Sequence, residues 1–134
     1  MTSIVVLAAV VERDGAFLLT RRLEGTHLAG TWEFPGGKCE PSESHVDCLR
    51  RELMEELGVD ASIGDEIFAI THTYPERTVE LHFRRCTLNG TPVPQIGQEM
   101  MWAKREDLSA LEFPEADREL IARLRRGPVD RGGR

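Results

Sequence analysis

Strand-like and helix-like segments alternate along this chain. They predict an α/β (α+β) domain, layered α/β/α, with a central mixed β-sheet between two helices. Three observations carry this expectation. The run Ile4-Val5-Val6-Leu7-Ala8-Ala9-Val10-Val11 is apolar throughout, as a buried strand requires. Val46, Leu49, Leu53 and Leu57 recur at helical spacing and are closed by Gly58, the residue best suited to the C′ position. The segment from Thr78 to Leu88 alternates Val79, Leu81 and Phe83 with polar residues, the period of a half-buried strand.

In order, Ile4 to Glu12 reads as the first strand. Arg13-Asp14-Gly15 reads as a turn, and Ala16 to Arg22 as the returning strand of a hairpin. Leu23 to Gly30 is a loop. Thr31 to Phe34 is a short strand that Pro35-Gly36-Gly37 should break. Ser44 to Leu57 is a helix capped by Ser42 or Ser44. Val59 to Tyr74 reads as one or two strands with a break at Gly64-Asp65, and Pro75-Glu76-Arg77 turns the chain into the strand from Thr78. Asn89-Gly90 signals a hairpin turn. Met100 to Ala103 is a late strand, with Trp102 in the core. Arg105 to Leu111 is a short helical turn, and Pro114 to Arg126 is a second helix with proline in its first turn. Residues 1–127 form one domain, and residues 128–134 read as a flexible tail.

A chain of 134 residues has room for one core and needs no staple to fold. With 40% hydrophobic and 30% charged residues, it is not a disordered polymer. The net charge of −6 excludes a passive coat for DNA or RNA. A small anionic substrate would need local cations or a bound metal. No apolar stretch reaches the ~20 residues of a membrane span. The apolar start lacks a basic flank and a small-residue cleavage site, so it reads as a strand rather than a signal core. Three cysteines, an odd count with no C-x-x-C pair, point to a reducing compartment. The expectation is a cytoplasmic protein without a disulfide framework or a thiolate zinc site.

The chemistry concentrates between Gly36 and Val59. Glu52, Glu55 and Glu56 stand at i, i+3 and i+4, so they share one flank of the helix beside Leu49, Leu53 and Leu57. They repel one another, and they lie in the half of the helix where the macrodipole disfavours anions. A divalent cation removes that conflict. Mg²⁺ takes hard oxygen ligands together with substrate phosphates. Glycine lets the main chain at Gly36-Gly37 approach closely enough to add a carbonyl. Lys38 and Arg51 offset charge or meet phosphate. The implied reaction is metal-assisted attack of water on a phosphoanhydride.

Gly37, Glu43, Arg51, Glu52, Leu53, Glu55, Glu56, Gly58 and Val59 match every fixed position of the Nudix box, G-x5-E-x7-R-E-U-x-E-E-x-G-U, where U is apolar. The chain thus resembles the Nudix hydrolases. The resemblance implies their α/β/α sandwich and cleavage of a diphosphate linkage with Mg²⁺, or Mn²⁺ as substitute. By position it makes Glu52, Glu55 and Glu56 metal ligands or base and the Gly36 carbonyl a further ligand. Arg51 would orient the glutamates, and Glu43 would have a supporting role. Phe17 to Arg22, His27, Trp32 to Lys38, Tyr74 to Arg77 and Phe113 to Asp117 resemble the MutT branch. That branch cleaves nucleoside triphosphates to the monophosphate and pyrophosphate, with 8-oxo-dGTP the best-known substrate and CTP or dCTP the choice of sister enzymes. Arg77 and Asp117 match its positions near the nucleotide; by their chemistry Phe34 and Tyr74 could stack on a base, Lys38 could touch phosphate, and Arg22 and His27 could meet phosphate or sugar. Its members vary between Asn and Asp at the position of Asp117. An ionised Asp accepts two hydrogen bonds, which suits the guanine edge; cytosine would need it protonated. Relatives carry a Glu where this chain has Ile96, so Glu99 is the candidate late-loop ligand. A Nudix-fold binding module without turnover is the reading from another class. The partner is a nucleotide, with no nucleic-acid polymer and no membrane, and the chain is a monomer or homodimer.

Overall fold

The computed structural model describes residues 2–26 and 28–127. His27 and the tail at 128–134 lie outside them. Strand β1 (Thr2–Val10) is the spine. It pairs in parallel with β7 (Arg77–Leu88) and antiparallel with the short β5 (Gly36–Lys38). β7 pairs antiparallel with the long β6 (Ala61–Thr73), which completes a four-stranded mixed sheet of order β5-β1-β7-β6. A second, antiparallel sheet contains β2 (Glu12–Arg13), β3 (Ala16–Arg21), β4 (Trp32–Glu33) and β8 (Met100–Lys104).

Alternation along β1 feeds two cores. Leu7 and Ala9 pack with Leu18, Cys86 and Leu88 under Cys48, Leu49, Leu53 and Leu57 of helix α1 (His45–Leu57). Ala8 and Val10 pack with Phe17, Leu19, Phe34 and Phe83 under Leu108, Leu120 and Ile121. The last two belong to α2 (Arg118–Arg125). The layered α/β architecture read from the sequence is therefore present. Ser44, not Ser42, caps α1: its hydroxyl accepts from the Asp47 N–H at 3.0 Å. Gly58 ends the helix in the left-handed region at φ 61°.

Five expectations need correction. The short strand does stop, at Glu33, but Gly36-Gly37 is not left as a loop: it re-enters as β5, paired with β1 in the other sheet. Asn89-Gly90 makes no hairpin, because residues 89–99 run back under α1 before β8 pairs with β3 in the other sheet. Helix α2 starts at Arg118, after a 3-10 turn over Glu115–Asp117. Val46 is exposed, although it continues the apolar spacing of the helix. Finally, Cys39 and Cys48 form a disulfide, with Cα atoms 5.3 Å apart, and the odd count reflects only the buried free Cys86. Parity could not show this. The bond forms because the segment after β5 folds back onto the first turns of α1, and the cysteine argument for a reducing compartment falls with it. Among the described residues no helix is long and apolar enough to cross a membrane.

Candidate active site

The acidic helix meets the glycine turn. The Gly36 N–H bonds to the Glu56 carboxyl, and the Glu52 carboxyl lies within hydrogen-bonding reach of the same group. Burial and the neighbouring acids Glu52 and Glu33 push Glu56 up to about 9. A Cβ on Gly37 would overlap the Glu52 carboxylate, so glycine is needed there for close approach.

Arg51 is the hub of the cluster. Its Nε and Nη2 donate to the two oxygens of Glu43 at 2.8 and 2.9 Å, a bidentate pair. Nη1 donates to Glu52 at 2.9 Å and to Glu55 at 3.2 Å, and Nη2 reaches the Lys38 carbonyl at 3.2 Å. Glu43 also accepts from the Glu40 N–H at 2.9 Å. These bonds, that from Arg51 first, hold the Glu43 carboxyl down at about 2. One guanidinium therefore ties the glycine turn to the helix and partly neutralises it. Glu52 and Glu56 converge, whereas the more exposed Glu55 is drawn outward to Arg51.

The end of α1 is clamped by the segment around Ile96, which the sequence suggested only as a source of a late-loop ligand. Gln98 is buried, and its Nε2 donates to the Glu56 carbonyl at 3.0 Å, while the Gln95 N–H donates to the same oxygen at 2.9 Å. The Val93 N–H donates to Leu57. Only the Gly97-Gln98 pair near Ile96 signalled this segment. Ile96 lines a cavity of about 180 Å³ with Glu56, Gln98, Arg22 and Glu33. Glu99 is not on that wall; its carboxylate pairs with Arg21 at 3.4 Å and is largely exposed.

A larger cavity of about 340 Å³ opens beside the glycine turn, within the range of small-molecule sites. Arg22, Phe34, Lys38, Tyr74, Arg77 and Asp117, six of the seven expected substrate residues, line it together with Gly36 and Gly37; the seventh, His27, lies outside the described residues. Phe34 is mostly core, stacked on Phe113 and edge-on to Phe83. Tyr74 lies beside His72, ring centroids 4.6 Å apart. Asp117 is 5% exposed. Burial, then the charge of Glu33, raises its carboxyl to about 7, and no hydrogen-bond donor among the described residues reaches it. Glu33 was missed as well. It bridges the two cavities and pairs with Arg22 at 2.9 Å, yet burial still raises its pKa.

The donor set fits a hard divalent cation. Two carboxylates crowd one main-chain turn, and one of them stays protonated to tolerate the other. Stability should follow from this. Glu56 and Asp117 hold their protons in the folded state up to about 9 and about 7, whereas in the unfolded chain they ionise near 4.5 and 3.8. The native state then binds more protons, so metal-free stability falls as pH rises through that window. Melting curves in EDTA should show the fall, and Mg²⁺ should flatten its upper part. A flat metal-free profile would remove the crowded-carboxylate account.

The NUDIX domain family model matches residues 6–123. The chain belongs to the Nudix family. It is 39% identical over 115 residues to the CTP pyrophosphohydrolase of Escherichia coli K12, covering 85% of this chain and 84% of that one. It is 36% identical over 121 residues to the 8-oxo-dGTP diphosphatase of Haemophilus influenzae, covering 89% of each. The solution structure of the E. coli ORF135 protein superposes with a TM-score of 0.83 at 36% identity, over 97% of this chain and 96% of that chain. This Nudix domain is a MutT-like hydrolase. The fixed positions of its Nudix box now have physical reasons. Leu53 and Val59 are core, Gly37 admits Glu52, Gly58 turns the helix end, and Glu43 and Arg51 form the clamp.

Proposed function

We propose that this Nudix hydrolase converts a nucleoside triphosphate and water to the monophosphate and pyrophosphate, with 8-oxo-dGTP as preferred substrate. The observation that carries the base assignment is Asp117, a buried carboxyl that meets no donor among the described residues, on the wall of the cavity beside the glycine turn. Ionised, it accepts from guanine N1–H and the 2-amino group. Tyr74 and Phe34 border the base, Lys38, Arg22 and Arg77 offer cations to sugar and phosphate, and the triphosphate runs toward Glu52 and Glu56. Glu52, Glu56, the Gly36 carbonyl and Glu55, once released from Arg51, would hold Mg²⁺ or Mn²⁺. The metal would supply Lewis-acid stabilisation of the phosphate oxygens. A glutamate of the cluster accepts the proton that water loses as the anhydride bond breaks, and Arg51 fixes the carboxylates in position. Glu99 would join the ligands only by leaving Arg21. The substrate pool places this activity in the cytoplasm.

A second reading, CTP or dCTP, is favoured by the same carboxyl in its other state. Protonated, Asp117 donates to cytosine N3. Since it titrates near 7, selectivity should shift with pH. We expect Mg²⁺-dependent pyrophosphate release from a nucleotide panel. The ratio of kcat/KM for 8-oxo-dGTP over dCTP should rise about tenfold per pH unit on both sides of 7, below it because the ionised fraction grows and above it because the protonated fraction falls. No release from any nucleotide, with folded protein and metal present, would defeat the enzyme reading. A ratio independent of pH would remove Asp117 from base recognition.

A further inference from the structure

On the α1 side of the mixed sheet, away from the nucleotide cavity, three metal-ligating side chains converge. His82 of β7 meets Glu66 of β6, Nδ1 to Oε1, at 2.6 Å. His45, the first residue of α1, lies over the His82 ring with centroids 4.7 Å apart. One ligand atom from each of the three lies within 4.8 Å of the others. The groups come from three separate elements. His45 and His82 are half-buried, and Glu66 opens to solvent.

The fold departs from regularity to build this cluster. The β6–β7 register pairs Ile63 with Cys86, both on the α1 face. Regular alternation from Ile63 would give the next place on that face to Asp65. Register shifts on either side of Glu66 give it to Glu66 instead, opposite Arg84 and next to His82. Such bulges re-aim side chains next to functional sites. His82 Nε2 lies 3.6 Å from the Glu80 carboxylate, which in turn accepts from the Ser3 hydroxyl at 3.2 Å. Arg84, next on that face, is turned to the Gly64 carbonyl at 2.7 Å and leaves the cluster open.

We propose that His45, Glu66 and His82 bind one borderline transition-metal ion, zinc in the first instance, at a site separate from the glutamate cluster. Two imidazoles and one carboxylate suit Zn²⁺ with a water in the fourth position, and they do not suit Mg²⁺. The ion would pin the first turn of α1 to β6 and β7. His45 stands seven residues before Glu52, roughly 10 Å along the helix, so the two sites do not share ligands. A bound zinc would hold the acidic helix from its opposite end.

The test is equilibrium dialysis of the full chain against Zn²⁺. Reductant is omitted, so that Cys39 and Cys48 stay bonded and offer no thiolate. The E52Q/E56Q variant should bind one zinc per chain, and adding H45Q/H82Q should weaken that binding at least tenfold. Co²⁺ as a second probe should give the intense visible absorption of a four-coordinate site in E52Q/E56Q and lose it with the histidines. Where H82Q disturbs folding, H45Q alone carries the test, since His45 opens the helix; its melting in EDTA should match the parent. No zinc in E52Q/E56Q, equal binding with and without the histidines, or a six-coordinate cobalt spectrum would each overturn the proposal. Failure here leaves the triphosphate reading standing, because binding is read without Glu52 and Glu56.

Discussion

Glu56→Gln should lower kcat by about 10²–10⁴-fold while the protein stays folded. Without metal, Glu56 prefers its protonated form, and glutamine matches that form in shape and charge. The Gly36 N–H keeps its acceptor, and the repulsion from Glu52 disappears. Metal-free stability at neutral pH should therefore hold or rise. What goes is the negative oxygen that a cation requires and that can take a proton from water. Glu52→Gln should behave alike in turnover, although it also removes an acceptor from Arg51. Steady-state pyrophosphate release and a melting curve on the same preparation decide the matter. Wild-type turnover in Glu56→Gln would take that residue out of the chemistry. It would also show that the meeting of Glu52 and Glu56 is only a packing accident.

The second large effect is on folding. Gly36→Ala should cost about 3 kcal/mol or more and lower Tm by roughly 10 °C. A Cβ there would sink into the Leu7 carbonyl and come within 2.8 Å of the Ala8 Cα. Both belong to the main chain of the central strand, so no rotamer relieves the clash, and β5 must peel from β1. Gly37→Ala is the contrast. Its Cβ meets only the Glu52 carboxylate, a side chain that can swing away. That variant should fold, melt close to wild type and lose metal affinity and turnover. If Gly36→Ala melts like wild type, the close approach of β5 to β1 is not as described.

These two glycines also mark where sequence reading succeeds and where it stops. Periodicity placed α1 because Leu49, Leu53 and Leu57 face one buried surface and leave no other register. It failed for Val46, because spacing alone cannot show how far along a helix the burial extends. Gly-Gly after proline reads locally as a breaker, yet β1 needs a partner without side chains, and that demand is tertiary. Asn89-Gly90 has hairpin chemistry, but the carbonyls at the end of α1 needed donors, and residues 93–98 supply them. The acidic cluster was legible as a cluster because its spacing lies within one helix. Glu33 and Gln98 were not, since each matters only through groups brought from distant parts of the chain. Arg51 was legible as charge, but its bidentate hold on Glu43 requires the turn that brings Glu43 back.

The sulfur bridge has a consequence of its own. It closes residues 39–48 into a small ring, a constraint worth about 2–3 kcal/mol by chain entropy. Inside that ring lie Glu43, which fixes the guanidinium hub, and Ser44, which starts the acidic helix. The geometry proposed to hold a cation is thus set within a ring that opens when its cysteines are reduced, and the same stretch of backbone would answer both to an ion and to the oxidant around it.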